Sequence, residues 1–165
     1  MRTAVLSVSL GFCLSLLSGL SAPPTLAAKE EQTAQQLIRL LQVGRMVVSN
    51  HQDLINDPDT ADKGFTGDYL QGRMRQLFHQ ETGIDPAVPD GSFRSELFLA
   101  LLESAKAVID TYQPVINKQG IGFKGVLPAV FARRVGEEFY ERTGVRLKLT
   151  ATEVRYPANK PDGFE

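Results

Sequence analysis

KEEQTAQQLIRLLQVGRMVVSNHQDLIN, residues 29–56, carries apolar side chains that recur at helical spacing, and this periodicity is the basis of the predicted fold. Polar side chains such as Arg39, Gln42 and Arg45 fall on the opposite face, as in a helix that buries one stripe against a core. The spacing predicts a single helix of about 25 residues, roughly 37 Å long at 1.5 Å per residue. Its apolar stripe consists of Leu37, Leu40, Leu41, Gly44, Val47, Val48, His51, Leu54 and Ile55.

The predicted start of this helix carries Thr33 followed three residues later by Gln36, the spacing of a capping box. A long leading helix against a compact body is typical of dimeric and sensor modules, although architecture alone does not establish function. We therefore predict two uses for this helix, as the interface of a homodimer or as a docking element for a partner in a membrane complex.

Three further helices are predicted downstream. The second covers about residues 68–82, and the third starts from a cap at Ser92 or Ser95 and continues to about Tyr112 or beyond. Pro128 suits the first turn of the fourth, whose apolar residues Leu127, Phe131, Val135 and Phe139 are spaced by four.

The second and fourth helices end on similar sequences, FHQETGI and FYERTGV. In each, a glycine (Gly83 or Gly144) can adopt the left-handed conformation that closes a helix. The following apolar residue, Ile84 or Val145, then completes a Schellman cap.

One segment has the alternation of a β-strand. In VRLKLTATEVRY, residues 145–156, apolar residues alternate with polar ones and then change phase near Ala151. IGFKGV, residues 121–126, is a weaker strand candidate. We therefore expect an α+β fold, with helices packed on an antiparallel sheet that lacks strand partners at its C-terminal side.

The N-terminus has the features of a signal peptide. Arg2 precedes an apolar stretch over residues 4–20, and small residues around Ala27 fit a peptidase site. We expect residues 1–27 to be removed, with cleavage after Ala27 or Ala28, and an extracytoplasmic location in the periplasm or thylakoid lumen. The alternative is an uncleaved helix that anchors the chain. Cleavage would remove Cys13, the only cysteine, and with it any disulfide or thiolate chemistry.

The rest of the sequence shows no catalytic signature. The formal charge of −1 does not indicate a nucleic-acid partner. The chain has no HExxH, CxxC, GxSxG or P-loop sequence, so we predict neither catalytic residues nor a metal site. The acids Asp57, Asp59, Asp62 and Asp68 depart from a calcium loop, because Ala61 stands at its fifth position and Asp62 in place of its glycine. We interpret them as a solvated turn that caps the two flanking helices.

Several phrases nevertheless resemble the Tll-like domain family. They are INDPDTADKGFTGDY (residues 55–69), GFKG (122–125) and RYPANKPDGFE (155–165). The resemblance implies an extracytoplasmic PAS-like sensory fold, found alone or fused to histidine kinases. Some relatives continue into a CxxCH motif that attaches a c-type haem. This chain has no such motif, so haem is not expected and we predict no cofactor here. We expect the chain to be a C-terminally truncated member.

From these observations we predict a non-enzymatic, PAS-like sensory domain that responds to a ligand or to redox state. Lys124 lies in the glycine-rich turn GIGFKG, which can form an anion-binding nest, and Arg155 could contact the same anionic group. Asn159 and His51 complete the predicted ligand-binding residues. The alternative is a structural accessory protein that docks on a membrane or photosynthetic complex, and an enzyme is the third hypothesis.

Overall fold

Five α-helices build residues 25–147, the part of the chain that this computed structural model describes. Four of them, α1, α3, α4 and α5, pack side by side, and α2 is a short extension of α1. α1 contacts all three of the other long helices, and α4 contacts both α3 and α5. The helices are α1 Leu26–Asn50, α2 Gln52–Asn56, α3 Gly67–Thr82, α4 Phe93–Ile116 and α5 Pro128–Thr143.

The predicted leading helix is present, but it is divided in two. α1 begins at Leu26, where the hydroxyl of Thr25 accepts a hydrogen bond from the N–H of Ala28 at 3.2 Å. The capping-box prediction is wrong, because Thr33 lies inside the helix and its hydroxyl donates to the Lys29 carbonyl at 2.9 Å. His51 interrupts the helix, and α2 continues it for five residues.

The predicted apolar stripe is confirmed over most of its length, and it lies against the chain's own helices. The exceptions stand at its C-terminal end, where His51 is half-buried and Leu54 is 37% exposed. At the centre of α1, a Cβ on Gly44 would lie 3.0 Å from the sulfur of Met74 and 3.2 Å from the ring of Phe131. The small residue therefore lets α3 and α5 approach α1 closely.

The downstream helices match their predictions closely. α3 and α5 end at Gly83 and Gly144, whose φ angles of 72° and 70° are left-handed. Each glycine N–H donates to the carbonyl four residues earlier at 2.8 Å, and Ile84 and Val145 pack against the core. The left-handed glycines and their apolar contacts are thus confirmed, but the bonds are those of the αL motif instead of the predicted Schellman cap. The N–H groups of Ile84 and Val145 donate to the hydroxyls of Thr82 and Thr143 at 3.1 Å. α4 is capped by the Ser92 hydroxyl and continues past Tyr112 to Ile116.

The predicted α+β fold is wrong for the described residues, which form helices and loops without a strand. Residues 121–126 follow the left-handed Gly120 and contain the left-handed Gly125. The carbonyl of Val126 accepts a hydrogen bond from a side chain, Gln52, instead of a neighbouring strand. The PAS-like sheet of the sequence interpretation is therefore absent from residues 25–147. Of the stronger strand candidate, residues 148–156 lie outside the described residues.

The described part of that candidate, residues 145–147, shows a cause of alternation other than strand pairing. After Gly144 the chain turns back along α5, and the carbonyl oxygen of Leu147 would lie 2.5 Å from a Cβ on Gly136. Val145 and Leu147 pack against the core, whereas Arg146 is exposed and stacks over the Tyr140 ring at 5.3 Å. Period-two alternation arises in any extended segment that lies along a core, with or without a paired strand.

Replacement of Gly136 by alanine tests this close approach. The new methyl group would force the Leu147 carbonyl away from α5, and we expect a loss of about 1–3 kcal/mol in the free energy of unfolding, measured by urea denaturation. Gly72→Ala in α3 is the matched control, because no atom lies within 4 Å of its added methyl. That variant should gain about 0.5–1 kcal/mol from reduced backbone entropy. An equal gain in Gly136→Ala would contradict the described packing.

Candidate functional site

Two loops meet at the end of the helices where α2 lies. The 57–66 loop joins α2 to α3, and the 117–127 loop joins α4 to α5. The Gly120 N–H donates to the Pro58 carbonyl at 2.9 Å, and the Gln119 amide donates to the Asp59 carbonyl at 2.8 Å. The two loops are therefore bonded to each other across about 60 residues of sequence.

The acids of the 57–66 loop hold its turns together. The Asp57 carboxylate accepts from the Asp59 N–H at 2.9 Å and from the Thr60 hydroxyl at 2.5 Å. The Thr60 hydroxyl, the Asp59 N–H and the nearby charge of Lys63 lower the pKa of Asp57 below its ordinary value. Asp62 accepts from the N–H of Gly64 at 3.0 Å. The predicted capping is confirmed for α2, whose C-cap is Asp57, whereas α3 is capped by the Thr66 hydroxyl.

Asp68, another acid of the predicted polar turn, forms an ion pair with a helix outside the 57–66 loop. Its carboxylate lies 2.7 Å from the ammonium of Lys106 on α4. Across residues 25–147, no group of three or more His, Cys, Asp or Glu side chains is placed to hold a metal ion.

Two lysine side chains are buried where the loops meet. Lys63 is 6% exposed and Lys124 is 5% exposed, and they are the only charged residues buried in the part of the chain that the structure describes. The Lys63 ammonium donates to the Thr60 carbonyl at 2.5 Å, and the Lys124 ammonium donates to the Lys118 carbonyl. We call Lys63 and Lys124 the lysine pair.

The lysine pair is electrostatically unusual, because no described carboxylate lies within 4.0 Å of either ammonium. Burial lowers the pKa of Lys124, and the positive charges of Lys63 and Lys118 lower it further. Asp57 opposes this shift. A buried ammonium is normally paired with an anion, so this arrangement has unused capacity for negative charge.

α2 connects the lysine pair to the long helix. The main-chain N–H of Lys124 donates to the Asn56 side chain at 2.9 Å, and the Gln52 amide donates to the Val126 carbonyl at 2.9 Å. Gln52 also donates to the Val48 carbonyl in α1 at 3.0 Å. A change in the 117–127 loop would therefore alter the hydrogen bonds that hold α2 next to the break between α1 and α2.

His51 stands at that break, and both of its ring nitrogens have partners within the chain. Nδ1 lies 2.7 Å from the Val47 carbonyl and so donates to it, while Nε2 accepts from the Tyr69 hydroxyl at 2.8 Å. The ring also packs on Phe65 of the 57–66 loop, with centroids 5.1 Å apart. In this structure His51 organises the joint of the two helices and presents no free nitrogen to a ligand.

Of the other predicted ligand residues, Lys124 lies in the loop site, and Arg155 and Asn159 lie outside the described residues. Sequence reasoning missed Lys63. The signal was present, because Lys63 belongs to the DKGFT phrase that carries the family resemblance. A lysine between an aspartate and a glycine is ordinarily a solvated loop residue, so its burial could not be inferred locally.

The same two loops contain the sequence phrases INDPDTADKGFTGDY and GFKG. A family profile, the Tll0287-like domain, matches residues 25–165. The chain belongs to the Tll0287-like domain family. The match covers every described residue and extends beyond them to the end of the printed sequence. No curated protein and no solved structure matches the chain.

Membership in the Tll0287-like family confirms the resemblance found in the sequence, without assigning a ligand. The predicted signal peptide falls almost entirely outside the described residues. None of the helices within residues 25–147 is long and apolar enough to cross a membrane.

Replacement of Lys124 by methionine gives a test of the buried charge. Because the folded-state pKa of Lys124 lies below its unfolded value near 10.5, the unfolded chain binds more protons in the pH window between the two values. In chloride buffer, we therefore expect the stability of the wild type relative to Lys124→Met to rise as pH increases from neutrality toward 10.5.

The measurement is urea denaturation of both proteins at several pH values, with Lys29→Met as the control because Lys29 is exposed on α1. The Lys29→Met protein should follow the wild-type pH profile. Parallel profiles for all three proteins would show that the Lys124 ammonium is not desolvated in the folded chain.

Proposed function

We propose that this Tll0287-like chain is an exported, non-enzymatic sensory domain in which a ligand bound at the two loops changes the joint between α1 and α2. The observation that carries the proposal is the pair of hydrogen bonds from α2 to the 117–127 loop. Through Asn56 and Gln52, a loop that contains a buried charge is tied directly to the C-terminal end of the longest helix.

The expected response follows from the way α1 ends. His51 interrupts the helix, and its bonds to Val47 in α1 and Tyr69 in α3 fix the residue from which α2 begins. A ligand that reorganises the loops would have to move α2 or rigidify it. Either change would reach α1 through the break, because the packed helices around α1 resist smaller continuous deformations.

The chemical character of the site favours binding over catalysis. Its side chains are lysines, aspartates and amides, and the bonds described above use them to fix loop main chain. A general base needs a nucleophile or substrate proton within hydrogen-bond reach, whereas Asp57 is held by Thr60 and Asp59. Export is supported by the apolar N-terminal stretch and the small residues near Ala27.

Hydrogen exchange measured by mass spectrometry tests the sensory role. The probes are small organic acids, phosphates, amino acids and haem, each first screened for an increase in melting temperature. A binding compound should slow exchange in peptides covering residues 44–56. In Asn56→Ala the same compound should still bind, while protection of those peptides should fall at least several-fold, because the bond to Lys124 is lost.

Asn50→Ala is the matched control, since Asn50 is an exposed asparagine at the end of α1, and it should behave as the wild type. If no probe stabilises a folded chain, or if a bound probe leaves residues 44–56 unchanged, the sensory proposal fails.

A second candidate function, docking on a membrane or photosynthetic complex, is favoured by one surface feature. In the 117–127 loop, Phe123 is 68% exposed, and Leu127 at the end of that loop is 41% exposed. Exposed aromatic side chains are frequent anchors of protein interfaces.

The docking function predicts that Phe123→Ser abolishes stoichiometric recovery of one membrane-complex partner from solubilised membranes. Phe93→Ser is the matched control, because Phe93 is 67% exposed but begins α4, at the opposite end of that helix from the 117–127 loop. Equal recovery with all three proteins, or none with the wild type, would eliminate this function.

A further inference from the structure

The lysine pair has hydrogen-bonding capacity that the described residues do not use. An ammonium carries three N–H donors. Lys63 uses one on the Thr60 carbonyl, and Lys124 uses one on the Lys118 carbonyl. No other described acceptor bonds either ammonium, so two donors of each remain within a region where both side chains are more than nine-tenths buried.

The charges that act on Lys124 are predominantly positive. Lys63 and Lys118 both act on Lys124 as like charges, and Asp57 is the one acid that opposes them. The Asp57 carboxylate is engaged by Thr60 and Asp59 and makes no ion pair with either buried ammonium. Buried like charges destabilise a fold unless an anion or further hydrogen bonds offset them.

The position of the pair determines what can offset this charge. Lys63 belongs to the 57–66 loop and Lys124 to the 117–127 loop, so an acceptor between them would bridge two separate segments. The acceptor must carry negative charge and at least two oxygen atoms, because each ammonium needs its own strong acceptor. A carboxylate or phosphate group meets both conditions.

We propose that Lys63 and Lys124 together bind a small oxyanion, the carboxylate or phosphate group of a ligand that bridges the two loops. This inference rests on the proposed function, since it names the chemical class of the ligand at the same site. The oxyanion accepts hydrogen bonds from the unused donors of both lysines and compensates their charge. Through the Lys124 N–H and Asn56, it also fixes the position of α2.

The test is calorimetric titration of the full exported chain with phosphate, sulfate, acetate and malonate at constant ionic strength in chloride. The phosphate and carboxylate arms distinguish the two sources of oxyanion. At least one should bind, with a rise in melting temperature of about 5–10 °C at roughly 100 times its Kd. Lys63→Met and Lys124→Met should each weaken binding at least tenfold, and Lys29→Met should not.

Calorimetry and the Lys29→Met control are required because sulfate and phosphate stabilise many proteins without binding to a site. A second measurement needs no variant. In wild-type protein, the Nζ resonances of Lys63 and Lys124 should move together as the binding anion is added. Unmoved resonances, or binding that is unchanged in both methionine variants, would leave the lysines as structural donors to loop carbonyls and overturn the inference.

The outcomes separate this inference from the proposed function. Oxyanion binding without altered exchange in residues 44–56 would support the site and refute the sensory role. Protection of those residues by a probe whose binding is unchanged in Lys63→Met and Lys124→Met would support sensing and refute the oxyanion site.

Discussion

Burial of the apolar stripe of α1 is the constraint on which the other contacts depend. Residues from Leu37 to Val48 lie under α3, α4 and α5, and Gly44 lets Met74 and Phe131 reach the helix backbone. Because each long helix packs on this one element, the loops that connect them are brought to shared ends. The 57–66 and 117–127 loops therefore meet beside α2, although about 60 residues separate them along the chain.

At that shared end two lysine side chains occupy buried positions, which apolar side chains normally fill. Lys63 and Lys124 are as buried as many core residues, yet their ammonium groups contact main-chain carbonyls instead of carboxylates. The arrangement is held by amide and turn bonds from Gln52, Asn56 and Asp57. Lys124 is bonded to α2 through its main-chain N–H and the Asn56 side chain, and the proposed coupling of charge to helix position rests on this contact.

Local sequence signals were sufficient to predict most of the helices. They did not predict the break at His51, and they predicted a sheet that the described residues do not form. The helix ends at Gly83 and Gly144 were predictable, since a left-handed glycine followed by an apolar residue is a local chemical requirement. The break at His51 was not, because the apolar stripe continues through it to Ile55. The alternation at Val145 and Leu147 was real, but it records packing along α5, and periodicity does not identify the partner of an extended segment.

The candidate site likewise combines features that the sequence predicts with features that depend on tertiary contacts. The sequence was sufficient to predict the amphipathic helices, the glycine ends of α3 and α5, the Ser92 cap of α4 and the membership in the Tll0287-like family. Each of these depends on residues that are near neighbours or on an ordered set of phrases. Tertiary packing alone buries Lys63 and Lys124 where the two loops meet, leaves both without a described carboxylate within 4.0 Å, and joins the Lys124 N–H to Asn56 of α2. Burial and pairing of charge depend on contacts between distant segments, and the packing of whole helices fixes those contacts.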